Sequence, residues 1–360
     1  MCLYYSHSRL FVIAASALHR KSYSFVIHPK LRFKINHRSM SSSLRLIDVD
    51  CNLLHTDMAS LIIHPNEETS VCQLLLEDAV MESNIVAMLS PASTIQEAHY
   101  SIDMIQKYRG SLELKTTVGV HPYHVLDPGL DSPDRYHDEI LQLVNSSCVA
   151  AIGECGLDAS DGFPPIDVQI PWFRAQVQLA QQIDLPLFVH ERLAFHKTME
   201  MLENVDVPII IHCFTGSIEE CAAYVSRGYY LSISGYVARQ GGDEVRQCLI
   251  DGIIPLDKLM IETDAPYMGF EGSRDKWLEK QSEYVSALNS KQRKKLQKGI
   301  YPNVPSSLPM VLDHVVDCLN IGRRSRGERE LSREEVAEST TQNAIQFFGF
   351  QKLEDKVTNI

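Results

Sequence analysis

Two carboxylates and two imidazoles, Glu154, His190, His212 and Asp264, each stand at the end of a short apolar run in a chain of 360 residues. Imidazole suits zinc and neighbouring transition metals, whereas carboxylates are hard ligands able to bridge two ions, so the four can hold one divalent ion or a close pair. A paired site stabilises both the attacking and the leaving oxygen of an in-line displacement, which is what phosphodiester hydrolysis requires. A carboxylate left over from ligation can take the proton of the attacking water. His121 follows the run "TTVGV", and Asp50 and Asn52 follow "LIDV". Taken singly, each such residue is as readily a hydrogen-bonded structural side chain or a helix cap. Their recurrence at equivalent strand ends is what argues for a site.

The elements that must position them are eight β-rich runs: 44 to 50, 84 to 90, 114 to 120, 148 to 154, 185 to 190, 207 to 212, 229 to 234 and 258 to 263. Near-continuous apolar strands alternating with helical segments indicate a parallel sheet covered on both faces. The segment "QIPWFRAQVQLAQQIDLP" shows the helix type, its apolar face made by Trp172, Phe173, Val177, Leu179 and Ala180 before Pro186 opens the next strand. Eight such units predict an α/β fold of TIM-barrel type, (β/α)8. An open doubly wound sheet would normally carry a Gly-rich turn after its first strand, and "DVDCNLLH" contains no glycine. In a barrel the chemistry lies at the C-terminal strand ends, where Asp50, Asn52, Ser90, His121, Glu154, His190, His212 and Asp264 fall. The opposite ends carry turn residues such as Pro186 and Pro208.

Hydrophobic content of 44% and charged content of 22% fit a globular domain, and no run nears the roughly 20 apolar residues that span a bilayer. No membrane partner is expected. The nine cysteines form no C-x-x-C pair and read as reduced thiols. Residues 1 to 43 contain no acid, are basic and Ser-rich, and fit a mitochondrial transit peptide; a disordered tail, or translation beginning at Met40, is the alternative, with a cytosolic or nuclear protein. The expected domain then spans 44 to 350, with a tail at 351 to 360. Net charge is -12, so binding to nucleic acid would have to come from metals and local basic patches, because the global field repels phosphate.

The runs "GVHPY" (119 to 123), "AIGECGLD" (150 to 157), "LPLFVHER" (185 to 192), "IIIHCFTGS" (209 to 217) and "LMIETDAPYM" (259 to 268) resemble, in order, the signatures of the TatD metal-dependent deoxyribonuclease family. "STTQNAIQFFGF" (339 to 350) is similar to its closing helix. The resemblance covers about 44 to 350 and implies a metal-dependent TIM-barrel hydrolase of ester bonds in nucleic acid, typically exonucleolytic on DNA. It implies that Glu154 bridges two metals, that His190 and His212 complete one ion's shell, that Asp264 binds or activates the nucleophilic water, and that His121 sits beside the scissile phosphate.

This chain departs from the family pattern at three places. The first strand normally ends in Asp-x-His-x-His, whereas here Asp48, Val49, Asp50, Cys51 and Asn52 follow one another. Asp50 and Asn52 both offer oxygen, which favours Mg²⁺ or Mn²⁺ over Zn²⁺ or Co²⁺ at that position. Leu193 stands where an acid is common. A basic insertion around 269 to 300 carries Lys291, Arg293, Lys294, Lys295 and Lys298, read as a solvated helix face with phosphate binding as the alternative. Two rival functions use the same residues: hydrolysis of a non-nucleic-acid ester or amide on the same scaffold, and a catalytically impaired relative that binds nucleic acid or protein.

Overall fold

Eight parallel strands follow one another in strict chain order: β1 (Leu46–Asp48), β2 (Ile85–Ser90), β3 (Glu113–Val118), β4 (Val149–Asp158), β5 (Leu187–Arg192), β6 (Ile209–Ile211), β7 (Tyr230–Ile233) and β8 (Leu259–Ile261). The structure, a computed structural model, describes residues 44–61, 71–127, 129, 132–287 and 289–351. The expected leader at 1 to 43, and all of the tail except Gln351, lie outside the described residues. The described residues fall in one compact unit, Met40–Ile360.

The sheet closes on itself where β8 meets β1. Val49 N donates to Ile261 O at 3.4 Å, Asp264 N to Asp50 O at 2.9 Å and Asn52 N to Ala265 O at 2.7 Å, and Cys51 pairs in parallel with Ala265. Asp48 reinforces this seam, its carboxylate accepting from Thr263 N at 2.9 Å and Thr263 Oγ1 at 2.6 Å. The result is a near-closed TIM barrel, its last and first strands joined by these bonds.

Ile47, Val49, Ala87, Leu89, Ala151, Phe188, Ile210 and Met260 fill the barrel interior. The last helix, Arg333–Phe348, covers the N-terminal mouth: Thr341 Oγ1 donates to Arg45 O at 2.9 Å, Asn343 Nδ2 to Leu259 O at 2.8 Å, and Phe347 and Phe348 join the interior cluster. Outward strand faces pack on the surrounding helices. Helix Ile166–Ile183 buries Trp172, Phe173, Val177, Leu179 and Ala180 as its 3.6-residue period requires, and ends on Asp184 in the left-handed conformation. With that mouth covered and the interior filled, the polar side chains gather at the C-terminal strand ends.

Candidate metal centre

Side chains on a strand alternate between faces, so a residue two beyond an inward apolar one also points inward. Phe188 therefore aims His190, Ile210 aims His212, and Met260 aims Glu262 at the open mouth. The ring of His212 lies on that of Phe188, centroids 4.6 Å apart and 22° from parallel.

Two strands break the alternation. On β4 the register against β5 shifts between Ile152 and Cys155, so Ala151 and Glu154, three apart, both face inward. Glycine is required at this irregularity. At Gly156 φ is +146° and a Cβ would stand 1.8 Å from His190 O; at Gly153 φ is +144° and a Cβ would stand 2.3 Å from Phe188 O. On β1 the strand ends at Asp48 and the chain bends at Val49, which lets Val49 and Asp50 both turn inward.

Three imidazoles surround one oxygen. Glu154 Oε1 lies 3.2 Å from His121 Nε2, 3.2 Å from His190 Nδ1 and 2.8 Å from His212 Nε2. The far nitrogens also face acids: His190 Nε2 is 2.8 Å from Asp158 Oδ2, and His212 Nδ1 is 3.0 Å from Asp50 Oδ2 and 3.9 Å from Glu262 Oε1. An imidazole with carboxylates at both nitrogens is held as a cation by protons or by metal. Burial opposes the charge on His190, but Asp158 and Glu154 outweigh it and raise its pKa. At His212 burial is likewise outweighed, here by Glu154 and Asp50, and its pKa stands well above the usual value. Burial pushes the Glu154 carboxyl up, yet His121 and His212 hold it well below the carboxylate range.

His121 differs from the other two. Its Nδ1 accepts the Tyr123 N–H at 3.2 Å, which leaves Nε2 carrying the proton towards Glu154, and burial lowers its pKa.

Deeper in the mouth the acids crowd. Burial raises Asp50 well above its ordinary value and brings Asp264 up to about 7, with Glu262 adding its like charge at Asp264. Ser232 Oγ donates to Glu262 Oε2 at 2.6 Å, but Asp50 Oδ2, His212 Nδ1 and Glu262 Oε1 are buried and none has a hydrogen-bond partner. The 3.0 Å approach of Asp50 to His212 is off the hydrogen-bonding direction and satisfies neither atom. Unsatisfied buried polar atoms are costly, and three that converge fit a cation.

Among the described residues, two groups bring their ligand atoms within 4.8 Å of one another: His121, Glu154 and His190, and Asp50, His212 and Glu262. The donors of both suit a divalent ion. The structure thus gathers Glu154, His190, His212, His121 and Asp50 at one mouth. Asp264 is buried beside them, with φ at +49°, but belongs to neither group. Asn52 also lies outside both, and its Nδ2 donates to Asp50 Oδ1 at 3.3 Å. Leu193 is 75% exposed. Lys291, Lys294 and Lys298 are exposed on helix Ser290–Lys298 in the insertion. Glu262 and Asp158 were not among the residues that strand ends single out. The alternation Met260, Glu262, Asp264 was the available signal for the first, and "GLD" at the end of a ten-residue strand for the second.

Comparison with known proteins agrees with this geometry. The model of the family described as TatD related DNase matches residues 21–349. The 3'-5' ssDNA/RNA exonuclease TatD of Salmonella typhimurium is 37% identical over 190 residues, 52% of this chain and 70% of that protein. Its Escherichia coli K12 counterpart is 34% identical over 194 residues, with the same shares. A TatD-family hydrolase protein of Entamoeba histolytica shares the fold at a TM-score of 0.65 and 23% identity, covering 86% of this chain and 99% of that one. A TatD homologue of Escherichia coli K12 does so at 0.65 and 21%, with the same coverage. The family model spans the whole described barrel, and the chain belongs to the TatD-related DNase family of metal-dependent hydrolases.

Proposed function

We propose that this protein is a divalent-metal-dependent phosphodiesterase that removes nucleotides from an end of DNA, with single-stranded DNA or RNA as the form to test first. The observation that carries the reading is the convergence of Asp50, His212 and Glu262, each with a buried unsatisfied atom, beside the Glu154 cluster. The relatives named as 3'-5' ssDNA/RNA exonucleases support it. Glu154 and His190 would hold one ion with His121 beside them, and Asp50, His212 and Glu262 the other. The oxygen-rich second set favours Mg²⁺ or Mn²⁺. A bound divalent ion supplies positive charge to the phosphodiester oxygens and acidifies water.

The chain's own residues do the rest. Asp264, with its carboxyl near 7, is poised to accept the proton of the attacking water at neutral pH. His121, fixed as the Nε2–H tautomer, can donate to a phosphate oxygen. Asp158 orients His190 through Nε2. Metal-stripped protein, supplied in turn with Mg²⁺, Mn²⁺, Co²⁺ and Zn²⁺ and given end-labelled single-stranded DNA and RNA, should release mononucleotides. Absence of cleavage with every metal, together with turnover of carboxylic esters or amides, would replace this reading. For residues 1 to 43, outside the described residues, their acid-free basic composition supports a separate proposal of import into mitochondria.

A further inference from the structure

Strand β5 carries one more inward position than the metal centre uses. Phe188 lies in the barrel interior and His190 in the centre, whereas Val189 packs outward and Glu191 turns to the surrounding helices, its Oε2 accepting from Tyr224 Oη at 2.8 Å. The same alternation aims Arg192, the last residue of the strand, over the open mouth. It is exposed there, roughly 7 Å further along the strand than His190. The acids beside it are spent. Asp158, its partner in the β4–β5 register, lies with Oδ2 2.8 Å from His190 Nε2 and accepts from Ser160 N through Oδ1 at 2.7 Å. Glu191 uses its other oxygen, Oε1, to accept from Ala194 N at 2.9 Å. Among the described residues no side chain pairs with the Arg192 guanidinium. Other surface arginines show the opposite habit: Arg246, Arg324, Arg329 and Arg333 each form an ion pair with an aspartate or glutamate. In a chain of net charge -12, a guanidinium left without an acid at the mouth is available to an anion from outside.

We propose that Arg192 holds the phosphate next to the scissile one, on the part of the strand that is not released. The proposal rests on the nuclease reading and adds to it a substrate-binding residue and a minimum substrate. With His190 holding an ion at the scissile phosphate, Arg192 stands one step further along the same strand, a separation of the order of the step between consecutive phosphates. A planar guanidinium offers paired N–H donors to phosphate oxygens, and it stays charged at every working pH. A simple carboxylic ester or amide carries no second anion, so this contact separates a polynucleotide from the other substrates the scaffold could take. In an exonuclease substrate the scissile linkage is the last one, and the next phosphate exists only from the trinucleotide upward. The dinucleotide is therefore the poor substrate. A local cation of this kind suits a protein whose overall charge repels phosphate.

The test gives Mn²⁺-loaded natural protein, Arg192→Ala and Arg192→Lys two substrates: a trinucleotide, and the same trinucleotide with an uncharged methylphosphonate at the linkage next to the scissile one. The natural protein should lose roughly tenfold or more in kcat/KM, mostly through KM, when that linkage is neutral. Arg192→Ala should show the same loss on the charged strand and should not distinguish the two. Arg192→Lys should recover part of the discrimination, since an ammonium keeps the charge without the paired donors. Discrimination that survives intact in Arg192→Ala, or a natural protein indifferent to the neutral linkage, would overturn the proposal. Mn²⁺ affinity, measured by calorimetry, should not fall in either variant; a fall would make Arg192 a support of the metal centre instead. If the natural protein cleaves neither strand, the nuclease reading fails by itself. Anisotropy of a labelled strand with Ca²⁺ in place of Mn²⁺ then reads the subsite without turnover: tighter binding of the charged strand, lost in Arg192→Ala, supports it, and equal binding or none removes it.

Discussion

Nε2 of His212 lies 2.8 Å from Oε1 of Glu154, both side chains being buried. In the metal-free protein this contact is a proton held between an imidazole raised well above its usual pKa and a carboxyl held well below its own. A divalent ion must displace protons from this mouth, so metal affinity should rise with pH. His212 and Asp50 both have raised pKa values, so each is more protonated than usual at neutral pH and competes with the ion. Affinity should strengthen by about tenfold per pH unit for each proton displaced. Calorimetric Mn²⁺ titrations between pH 6 and 8, in buffers of different ionisation enthalpy, read both the slope and the protons released; a flat profile would mean His212 is not displaced.

His212→Ala removes the imidazole that joins Glu154 to Asp50 and Glu262. Metal affinity should fall by roughly 100-fold or more, and hydrolysis with it. The barrel should persist, because strand-end residues at the open mouth serve chemistry more than packing. Metal analysis and circular dichroism on the same sample check the two halves of this expectation, and full occupancy at an undiminished rate would show the centre lies elsewhere.

Glu262→Gln separates the two groups. It takes a carboxylate from the Asp50, His212 and Glu262 set and leaves His121, Glu154 and His190 untouched. One Mn²⁺ should be weakened and the other retained. The Asp50→His single variant should leave the same ion in place with an imidazole as ligand and shift its preference from Mg²⁺ and Mn²⁺ towards Zn²⁺. Stoichiometry from equilibrium dialysis decides; two equal, unaltered sites in Glu262→Gln would exclude Glu262 as a ligand.

Gly156→Ala tests the irregularity in β4. Its φ of +146° is strained for alanine, and the new methyl would meet His190 O at 1.8 Å. The β5 backbone must move, at a cost of about 2–4 kcal/mol, and His190 moves with it. Urea unfolding should show the loss of stability, and the metal ion held through His190 should bind more weakly.

A fluorescent reporter fused behind residues 1 to 43 should enter mitochondria, because that stretch is basic and free of acids. The same protein begun at Met40 should remain outside them. Identical distributions would leave the leader as an inert tail.

Eight strands and their C-terminal residues were legible in the amino-acid sequence because a buried parallel strand must be almost wholly apolar, and a polar residue ending such a run stands out. Glu154, His190 and His212 were visible for that reason, as were Asp50 and Asn52; that imidazoles usually stand at the latter two positions came from the resemblance to the family. Tertiary structure alone decided which side chains meet. Asp50 turns inward through a bend after Asp48, and Asn52 then faces Asp50 instead of the cluster. Glu154 arrives three residues after Ala151 because β4 shifts register, so period-two counting misplaces it. Glu262 and Asp158 complete the surroundings of His212 and His190 from strands far away in the chain. Local periodicity reports which face a residue takes within a regular strand; closure of the barrel sets the distances between strands, and those carry the chemistry.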